Sequence, residues 1–85
     1  METEYKSFRE RWQEANPDKW IKVKNFYGNS GYGCHSADCT WSPNCTAEDL
    51  VNYVDDSTGN FGGRLEHVRV NEDGTKTGTV VVYFD

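Results

Sequence analysis

Long apolar runs are missing from this 85-residue chain. None approaches the ~20 residues that a membrane-spanning helix requires. The opening METEYKSFRERW has no hydrophobic centre of the kind that marks a secretory signal. A cytoplasmic protein with reduced thiols is expected on that basis. Bases are in short supply as well. Nine Lys and Arg stand against 14 Asp and Glu, for a formal charge of −5. Nucleic acid and anionic membranes are bound through Lys and Arg, so neither is an expected partner of the surface as a whole. The deficit is uneven: residues 1–45 hold six bases and six acids, residues 46–85 three and eight. Arg9, Arg11, Lys19, Lys22 and Lys24 leave room for a local basic face in the first half.

Chemical signatures are sparse. The three cysteines, Cys34, Cys39 and Cys45, lie in GNSGYGCHSADCTWSPNC with gaps of four and five residues. Structural zinc sites clamp the metal with Cys-x2-Cys pairs on tight turns, and no such pair exists here. A zinc site would have to combine Cys34, Cys39 and Cys45 with His35 or His67. A disulfide would leave one thiol over in a compartment that keeps thiols reduced. The spacing favours the third reading, in which the cysteines are small structural hydrophobes and no cofactor is needed. Asn44-Cys45-Thr46 fits the glycosylation pattern, but without a signal it reads as coincidence.

Catalysis fares no better. His35 adjoins Cys34, and neighbours on a strand point to opposite faces, so it is badly placed as a base. His67 in RLEHVRV reads as a half-buried strand residue. Asp55-Asp56 and Glu72-Asp73 fall at a helix end and in a turn. GNSGYG and GNFGG lack the lysine and the strand-to-helix setting of a phosphate loop. No catalytic residue is expected.

What is present specifies a fold. Tyr5, Phe8, Trp12 and Ala15 recur at helical spacing, with Thr3 as the expected N-cap and Asn16-Pro17 as the stop. In WIKVKNFYG, Ile21, Val23 and Tyr27 alternate with Lys22 and Lys24, a strand pattern. Residues 32–41 return as a second strand. Thr46-Ala-Glu-Asp49 caps a second helix over about 47–56 with Leu50, Val51 and Val54 inward. RLEHVRV and TVVVYF flank Asp73-Gly74, a hairpin signal. The expected architecture is one α+β domain over residues 1–85, in the order α-β-β-α-β-β, with an antiparallel sheet and two helices on one face. The uncharged TVVVYF run, residues 79–84, is expected at a sheet edge, where it could pair with its copy in a homodimer; otherwise the chain is a monomer.

Such a chain is expected to work by binding. It holds 12 aromatics, each able to bury roughly 150–250 Å², and several lie in or beside loops. Tyr32, Trp41 and Phe61 are candidate partner contacts, with Glu48, Asp49, Asp55 and Asp56 as an acidic face that meets a basic surface. In size, acidity and absence of catalytic motifs the chain resembles the small inhibitors that bacteriophages make against host machinery, including anti-CRISPR proteins and DNA mimics. That resemblance is compositional, and it implies a host protein as partner, one that itself binds nucleic acid. The alternative is a small zinc-stabilised domain that contacts nucleic acid through its basic first half.

Overall fold

The computed structural model describes residues 7–29 and 33–83. In chain order the elements are α1 (Phe8–Ala15), β1 (Ile21–Asn29), β2 (Cys34–Trp41), α2 (Ala47–Asp55), β3 (Gly63–Val70) and β4 (Lys76–Tyr83). The order is the expected one, and the class is α+β.

Both helices start on reciprocal caps. Ser7 accepts the Glu10 N–H at 3.2 Å while the Glu10 carboxylate accepts the Ser7 N–H at 3.0 Å. The N-cap is therefore Ser7 and not Thr3, because Ser7 has a glutamate three residues on and Thr3 has a lysine. Thr3 and Tyr5 lie outside the described residues. At α2, Thr46 Oγ1 accepts the Asp49 N–H and Asp49 Oδ2 accepts the Thr46 N–H, each at 3.0 Å. Leu50, Val51 and Val54 are buried along its inner stripe. Each such side chain contributes roughly 1.5–3 kcal/mol. Asp56, in the left-handed region at φ 58°, ends the helix.

The sheet is antiparallel with strand order β1-β2-β4-β3. Residues 79–83 of the TVVVYF run therefore do not supply an edge. β4 pairs with β2 on one side and β3 on the other, which closes the route to a homodimer through residues 79–83. The edges are β1 and β3. Lysines and bulges blunt β1, as edge strands require.

Alternation divides the sheet into two faces. Ala37, Cys39 and Trp41 of β2 and Val80 and Val82 of β4 are buried on the helix side, where Ile21, Leu50, Val51, Val54 and Trp12 complete the core. The open side carries Ser36, Asp38 and Thr40 of β2 beside Val81, Thr79 and Thr77 of β4. Irregularities in the edge strands modify this division. A register shift between Val23 and Asn25 puts Phe26 opposite Ala37, so Phe26 and not Tyr27 continues the helix-side row of Ile21 and Val23. The shift reverses the expected alternation because one extra residue inverts every side chain beyond it. A second shift, between Glu66 and Arg69, contains His67, which is exposed with φ 57° and not half-buried as expected.

Candidate functional site

The three cysteines do not form a cluster. Cys34 and Cys39 are an odd number of residues apart on β2, so they leave the sheet on opposite faces. Burial, and secondarily the Asp38 charge, pushes the Cys39 thiol up to about 12. Cys45 lies before α2, with its Sγ 3.3 Å from Ser42 Oγ. All three thiols are free. His35 points toward α2, with Nε2 3.7 Å from Asp55 Oδ1, whereas His67 sits on the far edge strand. Among the described residues no three His, Cys, Asp or Glu side chains converge as metal ligands. The set proposed for zinc does not assemble.

The expected contact residues divide sharply. Trp41 is 1% exposed and belongs to the core; strand alternation puts it on the helix side, so it is no partner contact. Tyr32 lies outside the described residues. Asp49 is consumed internally: besides capping α2 it accepts from Trp12 Nε1 at 3.1 Å and pairs with Lys19 Nζ at 3.0 Å. Asp56 accepts the Arg9 N–H at 3.0 Å. Arg9 in turn donates through Nε and Nη2 to the Tyr53 and Val54 carbonyls, at 2.7 and 3.0 Å. That fastens α1 to the C-terminal end of α2. Glu48 is exposed, and Phe61 is 70% exposed.

Glu48 lines one groove, and Phe61 stands in the chain between two other lining residues, Asn60 and Gly62. The groove encloses about 410 Å³ between Ala47, Glu48 and Asn52 of α2 and Thr58, Asn60 and Gly62 of the following loop. Hydrogen bonds fix this loop. Asn60 Nδ2 donates to Asn52 Oδ1 at 2.9 Å, Asn60 Oδ1 accepts the Gly62 N–H at 2.9 Å, and the Phe61 N–H donates to the Tyr83 carbonyl at 2.9 Å. Asp55 joins in, accepting from Ser57 Oγ at 2.6 Å and from Asn60 Nδ2 at 3.3 Å. From Asp55 the contacts continue through His35 to the Phe26 ring, whose centroid lies 5.4 Å from the imidazole. Ser57 donates to Asp55 and not to His35. The serine–imidazole–carboxylate sequence of a hydrolytic triad is thus not built.

A second groove, of about 560 Å³, opens on the other face of the sheet between Lys24, Asp38 and Thr79 and, on β3, the bulge residue His67 and Arg69 beyond it. Asp38 is part of its lining. The Tyr27 hydroxyl donates to Oδ2 at 2.6 Å and Thr79 to Oδ1 at 2.8 Å. The Tyr27 bond, with that of Thr79, holds the Asp38 carboxyl below its ordinary range, and the same bond raises the Tyr27 phenol. Sequence reasoning missed this groove. The alternating polar residues of β2 and β4 signalled an open face, but the bulges that turn Tyr27 and His67 toward it leave no mark in hydrophobic period.

Comparison with family models, curated proteins and solved structures finds no match for this chain.

Proposed function

We propose that this chain is a non-enzymatic protein-binding module that uses Phe61 as its anchor. The observation that carries the reading is an aromatic side chain 70% exposed on a loop whose backbone and neighbouring side chain are fixed by hydrogen bonds. An anchor held in place before binding loses little entropy on docking and contributes area where interfaces draw most of their energy. Glu48 beside the same groove favours a partner surface with an apolar recess and a basic rim.

The narrower idea of an inhibitor that occludes a basic site shifts its weight to Glu48. Asp49, Asp55 and Asp56 are held by partners within the fold. They contribute a local potential but have few lone pairs left for direct pairing. The density of free acids is correspondingly lower than composition suggested, and further from that of a DNA mimic.

The test is site-resolved photo-crosslinking in extract of the producing cell. A benzophenone amino acid at position 61 should give a discrete protein adduct, and the same probe at Glu10, on the outer face of α1, should not. Equal labelling from both positions, or none from 61, rejects the reading. With the adduct identified, Glu48→Lys should slow association and flatten its salt dependence.

A further inference from the structure

We propose that the open face of the sheet binds a single strand of nucleic acid, through a cationic row and the ring of Tyr27. This goes beyond the protein-binding reading, which concerns the other face of the molecule.

The charge of the open face opposes that of the chain. Register places Lys22, Thr40, Thr77 and Arg69 in one row across all four strands, a base at each end and two hydroxyls between. Thr40 and Thr77 are in contact through Oγ1 atoms 3.3 Å apart, and Asn71 Nδ2 donates to Thr77 at 3.0 Å. The next row runs Asn25, Asp38, Thr79 and Glu66. Both acids of that row are compensated. Glu66 pairs with Arg64 at 2.6 Å, and Asp38 accepts from Tyr27 and Thr79 with Lys24 nearby. Lys22 and Arg69 have no carboxylate partner among the described residues, and Lys24 and His67 line the groove between them. On a chain of charge −5, this face presents bases to a ligand, and the complement of such a face is a polyanion.

Tyr27 decides which polyanion. Its hydroxyl is tied down on Asp38 while 56% of the residue stays in solvent, so the ring is fixed beside the cations and not buried. An acidic polypeptide has no use for a fixed ring there. An unpaired base stacks on it, and stacking on aromatics beside a positive groove is how single strands are held without sequence preference. A groove across a four-stranded, largely polar face suits splayed bases and not the regular backbone of a duplex.

Fluorescence anisotropy tests this with labelled oligo(U) and oligo(dT) of ~12 nucleotides at about 50 mM salt. Saturable binding is expected, weakening steeply as salt rises. Tyr27→Leu should weaken it about tenfold, and Tyr27→Phe, which keeps the ring, less than about threefold. Arg69→Gln should reduce affinity severalfold and lower the salt slope by about one. Arg11→Gln, the same charge change on α1, should leave it unchanged. Circular dichroism monitors the fold of each variant. Absence of binding to both oligonucleotides overturns the proposal. So does equal binding of blunt duplex or polyglutamate, or a loss with Arg11→Gln that matches Arg69→Gln.

Discussion

Trp12 and Asp49 meet across the contact between the two helices, the indole Nε1–H donating to Oδ1 at 3.1 Å. The same carboxylate closes the α2 capping box and pairs with Lys19. One side chain thus ties together the N-terminus of α2, the middle of α1 and the chain that leads into β1. The sequence marks Asp49 as a capping residue; that it also joins two helices is a tertiary fact.

Asp49→Ala should therefore cost more than a cap. Loss of a cap contributes about 1 kcal/mol, and a charge-assisted bond to a part-buried indole adds about 1.5 kcal/mol or more. Urea denaturation should show a fall of about 2–3 kcal/mol. Partial burial pushes the Asp49 carboxyl up, but the Thr46 N–H, Lys19 and Trp12 together outweigh it and hold it below its ordinary 3.8. A depressed carboxyl stabilises the fold above the unfolded value, and that contribution is lost as pH falls through the folded one. Asp49→Asn should remove this part of the acid limb of a stability–pH profile.

Gly63 has no room for a methyl group. A Cβ there would overlap the Val81 carbonyl oxygen and come within 2.9 Å of Val51 Cγ2, so β3 would have to move away from β4 and from α2. Gly63→Ala should destabilise by about 2–3 kcal/mol. Gly62 is the contrast: its φ is 94° and nothing lies within 4 Å of a built Cβ. Gly62→Ala should cost about 1 kcal/mol through backbone strain alone. Equal effects of the two substitutions would argue against the tight approach of Gly63 to the β4 backbone.

Cys39 should be inert in the folded protein. Its thiol is fully buried and pushed up to about 12, and the thiolate is the reactive form. Iodoacetamide labelling followed by mass spectrometry should modify Cys34 and Cys45 first, with Cys39 reacting only in denaturant. Because the folded thiol is raised above its usual 9.0, ionisation in the unfolded chain opposes folding as pH climbs past that value. Stability should fall at the alkaline end, and Cys39→Ala should lessen that fall.

Trp41 and Phe61, matched as loop-side aromatics by sequence, should part company on substitution. Trp41→Ala removes a side chain 1% exposed and should cost about 3–5 kcal/mol or abolish folding. Phe61→Ser changes a side chain 70% exposed and should shift stability by no more than about 0.5 kcal/mol. Thermal melts of both, read by circular dichroism, check the division. A large loss with Phe61→Ser would mean that the ring supports the loop and is not free to anchor a partner.

Local chemistry was legible in the residues themselves. Thr46 and Asp49 cap α2, Leu50, Val51 and Val54 face inward, and Asp73-Gly74 turns β3 into β4, because each depends on atoms only a few residues apart. Exposure was legible at Phe61, in a loop, and at Glu48, in the first turn of α2. Burial was not legible at Trp41, whose side is set by the pairing of β2, nor were the partners of Asp49 and Asp56, whose carboxylates are claimed by distant donors.

Sequence by itself determined the number, type and order of the elements, since helix caps, turn residues and hydrophobic period act over a single turn or strand. Tertiary structure decided the rest. Strand order placed residues 79–83 inside the sheet, the division of faces drew Cys34 and Cys39 apart, and bulges in β1 and β3 turned Tyr27 and His67 toward the open groove. Those outcomes depend on which strands pair and in what register, a competition among long-range contacts that no local pattern of residues encodes.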